Sequence, residues 1–327
     1  MKGEPSLAYR CGGSSGIAPK EARTAFPFNH WLESQWHQMR KCCPDSSFKN
    51  ENMYKPRRRV AYTGRKLGSN PGWRRNYMNT TIIFIHGAQH DHDCWMLQSG
   101  WFTQRGCRVL ALDLPGHGKG AGDALPSIEA QAAWVAGLFD TEEGITQAHV
   151  VGHSMGSLVA LELADRVPQR VRSATLVGPA LPMPVSPALL EMACKDEQKA
   201  MDMINFWSFS VAGRLGHNGL PGLWMPGINK RIMERQRAGV MYADFSACNA
   251  YQRSMESLAD INVPMLIIAG AQDKMTSPKV ARTIAETLPQ ARIEVLPGCA
   301  HAMMTERPGE VLGALKKFIG EIEGWEK

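Results

Sequence analysis

The sequence predicts an α/β fold, a mostly parallel sheet with helices on both faces, and three observations carry that expectation. From Met78 onward, strand-length runs that are apolar throughout alternate with stretches of helical length. The runs do not alternate apolar with polar residues, so each is expected to be buried on both faces. Two of the helical stretches open on a proline, Pro278 and Pro308, which suits a first turn where the missing N–H is no loss.

Taken in order, the first strand is predicted over Thr81 to Ile85 and ends at His86-Gly87. A second follows at Arg108 to Leu112, then a helix from Ile128 to Phe139 and a strand from His149 to Gly152. The helix from Met155 to Val167 leads to a strand at Ala174 to Gly178. Beyond a long insertion come the strand Met265 to Gly270, the helix Pro278 to Leu288, the strand Ile293 to Leu296 and the helix Pro308 to Ile322. Strands and helices in this rhythm imply a parallel sheet.

The insertion, residues 179–260, is rich in methionine and aromatic residues and reads as a small helical cap. Most of these side chains are expected to pack helix on helix. A minority, Trp207 and Met225 among them, is expected to line the enclosed space, where flexible methionines suit an irregular apolar group.

Composition narrows the classes. A hydrophobic fraction of 44% and a charged fraction of 21% are ordinary for a globular protein. No apolar run approaches the roughly 20 residues that span a bilayer. The start lacks the apolar stretch of a secretory signal, so a cytoplasmic location is expected. The net charge of +6 is unevenly placed: residues 1–77 hold 15 Lys and Arg against 5 Asp and Glu, and the rest hold 22 against 26. Without a periodic core pattern, residues 1–77 read as a basic, disordered extension, and residues 78–327 as the folded domain. Neither a nucleic-acid nor a membrane partner is expected. The eight cysteines form no C-x-x-C pair and are expected to be free, mostly buried thiols.

The chemistry is concentrated at three places. Gly152-His153-Ser154-Met155-Gly156 matches G-x-S-x-G where a strand meets a helix. Such a turn strains the serine and exposes its hydroxyl at the carboxyl edge of the sheet, and the small flanking residues let the chain bend that tightly. The N–H of Met155, at the helix N-terminus, points toward an oxyanion. A serine needs a base, and in this fold the partners follow in the order Ser, acid, His. Asp273 follows the strand from Met265, and His301 follows the strand from Ile293. Ser154 is therefore the expected nucleophile, His301 the general base, and Asp273 the group that fixes its tautomer.

These pieces, with His86-Gly87, Asp113-Leu114-Pro115-Gly116-His117-Gly118, Gly270-x-x-Asp273 and Gly298-x-x-His301, resemble the α/β-hydrolase superfamily, in its esterase, lactonase and C–C hydrolase branch. The resemblance covers about 250 residues from Met78. It implies an oxyanion hole formed by the N–H groups of Ala88 and Met155, structural roles for Asp113 and His117, and two further strands before the His-Gly strand. His90-Asp91-His92-Asp93 lies in the loop that borders the active-site entrance in that family, so His92 or His90 is expected to touch substrate rather than to bind metal.

The expected function is hydrolysis of an ester-like bond of a small, partly apolar substrate, with no metal or organic cofactor. C–C hydrolase, lactonase, thioesterase and cofactor-free perhydrolase activities share the same constellation. The non-enzyme alternative is a catalytically silent α/β-hydrolase module that binds a ligand or partner.

Overall fold

The computed structural model describes residues 77–216 and 222–325. The expectations for residues 1–76, including the disordered extension and any strands preceding the first, lie outside the described residues.

Six strands form one parallel sheet: β1 (Thr81–Ile85), β2 (Arg108–Ala111), β3 (Ala148–His153), β4 (Val171–Val177), β5 (Met265–Gly270) and β6 (Ala291–Leu296). Each coincides with a predicted strand. The largest difference is β4, which starts at Val171, because Arg172 and Ser173 interrupt the apolar run that marks the rest.

The strand order is β2-β1-β3-β4-β5-β6. The chain steps from β1 outward to β2, then returns past β1 to build the other side. The carboxyl ends of β1 and β3 therefore flank the point where the winding reverses, the place where a crevice opens in such sheets. Ile85 and Gly152 are paired there in register.

Helices cover both faces. Helices α2 (Ile128–Thr141), α3 (Met155–Arg166) and α9 (Pro278–Thr287) pack on one face, with Ile83, Ile85 and Val150. Helices α1 (Met96–Arg105) and α11 (Pro308–Glu323) pack on the other, with Ile82, Phe84 and Val151. Successive strand residues thus feed opposite cores, which is why no run alternates in polarity. The caps agree with the sequence: the Ser127 side chain accepts from Ala130 N, and prolines open α9 and α11. Helix α1 carries no such signal, since Trp95 at its start makes no side-chain cap.

Between β4 and β5 lie α4 (Pro187–Lys195), α5 (Glu197–Ser208), α6 (Val211–Arg214), α7 (Met225–Glu234) and α8 (Val240–Ala250). Helices α4, α5, α7 and α8 share a separate apolar cluster that includes Leu189, Met201, Met233, Met241 and Phe245. A short helix α10 (Met303–Glu306) precedes α11. Among the described residues, no helix is long and apolar enough to cross a membrane, and Cys94, Cys107, Cys248 and Cys299 are free, buried thiols.

Candidate active site

Ser154 sits between β3 and α3 with φ 51° and ψ −116°, a conformation that L side chains rarely adopt and that costs energy wherever it is held. Two close approaches hold it. A Cβ on Gly152 would collide with the Gly156 carbonyl, and one on Gly156 would come within 2.5 Å of the Ile85 and His86 carbonyls. Ser154 N–H also donates to the Val177 carbonyl at 2.8 Å, fastening the bend to β4.

His301 and Asp273 come from loops after β6 and β5. The Nδ1–H of His301 donates to Asp273 Oδ2 at 2.8 Å, which leaves Nε2 as the basic nitrogen. Asp273 is itself held: Oδ1 accepts the N–H groups of Met275 (2.8 Å) and Thr276 (2.9 Å), and Oδ2 accepts the Thr276 hydroxyl at 2.7 Å. Burial alone would raise the Asp273 pKa. The charge and hydrogen bond of His301, with those from Thr276, outweigh it and hold the carboxyl below its ordinary value.

Ser154 and His301 line one cleft, of about 790 Å³ counted out to its open mouth. Gly87 and Ala88 line it too, and a Cβ on Gly87 would lie 3.3 Å from that of Ser154, so the loop after β1 runs directly beside the serine. Ala88 and the helix start at Met155 therefore flank the serine. The cap supplies apolar walls through Ile204, Met225, Ile228, Ile232 and Phe245, while Met96 and Leu223, about half exposed, stand at the mouth.

Residues 82–314 match the Alpha/beta hydrolase family. The chain belongs to that family. A dihydrolipoyllysine-residue acetyltransferase component of an acetoin cleaving system from Cupriavidus necator is 29% identical over 73% of this chain, and the match spans 63% of that protein. A non-heme haloperoxidase from Rhodococcus erythropolis is 29% identical over 73% of this chain and 91% of its own length. A pimeloyl-acyl-carrier-protein methyl ester esterase from Neisseria meningitidis is 30% identical over 64% of this chain and 82% of its own. The solved structure of a thermophilic esterase superposes with a TM-score of 0.63 at 27% identity, covering 74% of this chain and 90% of that one. The protein is an α/β-fold hydrolase.

Within this α/β hydrolase, the predicted substrate contacts separate. Met225 lines the cleft; His92 and Trp207 do not. His92 turns away because Asp113 Oδ1 accepts both its N–H (2.9 Å) and its Nδ1–H (2.7 Å). Trp207 faces outward on α5, 40% exposed. His90 does line the cleft. Asp91, His92 and Asp113 are close enough together to surround an ion, but their oxygens already accept bonds from the protein. Arg235 donates to both Asp91 oxygens (2.6 and 2.5 Å), Gln236 Nε2 to Oδ2 (2.8 Å), and Lys119 N–H to Asp113 Oδ2 (2.9 Å). The segment is a latch to the cap.

Three supporting residues were not legible in the sequence. Thr276 fixes Asp273, as above. Buried His153 donates from Nε2 to the His301 carbonyl at 3.0 Å. Burial, with the His301 charge next in size, keeps its pKa well below the ordinary value, so it remains neutral. Glu306, 3% exposed, accepts Ala300 N–H at 2.7 Å on one oxygen, and the Ser210 hydroxyl (2.6 Å) and N–H (3.0 Å) on the other. It ties the histidine loop to the cap. A buried carboxylate inside a helical run carries no local pattern that would reveal this.

Proposed function

We propose that this hydrolase cleaves an ester-like bond of a small, partly apolar substrate through an acyl-enzyme on Ser154. The observation that supports it is the shared cleft: Ser154 and His301 line it, the His301 ring is oriented by Asp273, and its cap wall is apolar. Ser154 Oγ attacks the carbonyl while His301 Nε2 takes its proton, and Asp273 stabilises the imidazolium. The N–H groups of Ala88 and Met155 receive the developing oxyanion. His301 then protonates the leaving group, and water activated by the same nitrogen releases the acid. Residues 179–260 act as the cap that selects the acyl or alcohol part by apolar contact.

The relatives named as esterases support the ester reading. It is tested with nitrophenyl esters of increasing chain length, lactones, thioesters and ring-cleavage products, run on wild type and Ser154→Ala together. Turnover of the best substrate is expected to fall by about 10⁴-fold or more in the variant; unchanged turnover overturns the mechanism.

A further inference from the structure

Among the described residues, only two other than glycine have a positive φ: Ser154, and Gln89 at 55°. Gln89 directly follows Ala88. The peptide group joining them is gripped at both ends. Its N–H, that of Gln89, donates to Asp244 Oδ2 at 2.8 Å, and its carbonyl, that of Ala88, lies 2.7 Å from His90 Nδ1. The grips trace back to the cap. Asp244 stands on α8, and His90 Nε2 lies 2.8 Å from Oδ1 of Asn229 on α7. The Gln89 side chain also donates from Nε2 to the Met233 carbonyl of α7 at 3.0 Å.

Asp244 is itself fixed. The Nε2–H of His117 donates to the same Oδ2 at 2.8 Å, and both side chains are wholly buried. Burial pulls the His117 pKa down, but the Asp244 charge and hydrogen bond, with the Pro115 carbonyl, outweigh it and hold the pKa above its ordinary value. A buried carboxylate whose charge is balanced in this way is a rigid acceptor, able to hold an adjoining peptide in a disfavoured conformation.

We infer that Asp244, helped by Asn229, is a positioning residue of the oxyanion hole, so that a seated cap sets the loop carrying the Ala88 N–H. The inference rests on the reading of Ser154 and Ala88 above. It makes the cap part of the catalytic geometry as well as a wall of the pocket: when α8 withdraws, Gln89 relaxes to negative φ and the donor leaves its place beside Ser154.

The test is Asp244→Ala in the full chain, which removes the acceptor of the Gln89 N–H, assayed with a chromogenic ester and with a trifluoromethyl ketone that mimics the tetrahedral intermediate. Loss of an entire oxyanion donor costs about 10²–10³ in kcat, and a displaced one is expected to cost about 10- to 100-fold. The ketone's affinity should fall in parallel, with KM within about twofold. Adding Gln89→Gly, which removes the strain that Asp244 holds, should recover part of the loss. Arg237→Ala, which frees a different cap anchor on the Gly120 and Gly122 carbonyls, should leave kcat within about twofold. Should Asp244→Ala not fold, Asn229→Ala must show the same kcat and ketone pattern in smaller measure. Unchanged kcat and ketone affinity, or a loss confined to KM, overturns the inference. Turnover that survives Ser154→Ala overturns the underlying mechanism instead, so the two failures are distinct.

Discussion

The Thr276 hydroxyl donates to Asp273 Oδ2 at 2.7 Å, on the same oxygen that receives the His301 ring at 2.8 Å. The carboxylate is thus oriented before the histidine meets it, and of the three donors that orient it only the Thr276 hydroxyl is removable without touching the backbone. Thr276→Val conserves shape and both amide bonds to Oδ1. Loss of a hydrogen bond to a charged group is worth about 1.5–3 kcal/mol. Much of that falls on the imidazolium, so kcat is expected to drop about tenfold with KM little changed. A variant with wild-type kcat would show that the two amides suffice.

The bend at Ser154 depends on close approaches at Gly152 and Gly156, so a substitution there should act opposite to the same change at an uncrowded helical glycine. Gly156→Ala drives a methyl against the Ile85 and His86 carbonyls, backbone that cannot give way. A cost of about 3 kcal/mol is expected, with loss of esterase activity beyond the loss of folded protein. Gly137→Ala, inside α2 with nothing within 4 Å of the new Cβ, should instead stabilise by about 0.5–1 kcal/mol. Chemical denaturation of both variants checks the contrast. Equal effects would mean that the packing of α3 against β1 does not hold the bend.

The sheet and the order Ser154, Asp273, His301 were legible in the sequence because both are written locally. Strands buried on two faces are continuous apolar runs, and each chemical residue follows one of them. The contacts that orient those residues are not local. Glu306 reaches Ser210, His153 reaches the His301 carbonyl, and Asp244 reaches Gln89, all across long stretches of chain. His92 shows the converse: its place in an entrance loop suggested a substrate contact, but Asp113 captures its ring and N–H together. Helix α1 escaped notice because it continues a 3-10 turn without a side-chain cap of its own and has only a weak apolar face.

Asp91 and Arg235 form the latch between the loop after β1 and the end of α7, with the guanidinium also donating to Asp93 at 2.6 Å. Burial raises the Asp91 pKa, but the bonds from Arg235 and Gln236 outweigh it and hold it below its ordinary value. Arg235→Ala removes the charged donor and leaves Gln236 and the Asp93 N–H in place. With Arg235 44% exposed at its side chain, solvent screens part of the gain, and a loss of about 1–2 kcal/mol is expected. The same satisfied carboxylates predict that added zinc or magnesium leaves the melting temperature of wild type unchanged. A rise with either ion would identify Asp91, His92 and Asp113 as a metal site.

Two buried histidines and one buried pair set how stability responds to pH. Burial, assisted by the charge of His117, pushes the His86 pKa down to about 3. Its Nε2 accepts the Leu114 N–H, a role open only to the unprotonated nitrogen. His153 is likewise held well below the ordinary value, chiefly by burial. Below about pH 6.5 the unfolded chain protonates both rings and the native protein does not, so stability falls as pH falls. Near pH 5 the two together give a slope of up to about 2.7 kcal/mol per pH unit. Below about pH 4, Asp113, pushed to about 2 because bonds from His92 and Lys119 outweigh burial, adds to the loss as it protonates. His117 acts in the other direction: its raised value contributes stability below about pH 6.5 that is lost as pH rises through that value. Thermal melts from pH 5 to 9 should therefore pass through a maximum near neutrality. His86→Gln, which keeps an acceptor for Leu114 and cannot titrate, should roughly halve the slope between pH 5 and 6. An unchanged slope in that variant would show that His86 is not one of the groups responsible.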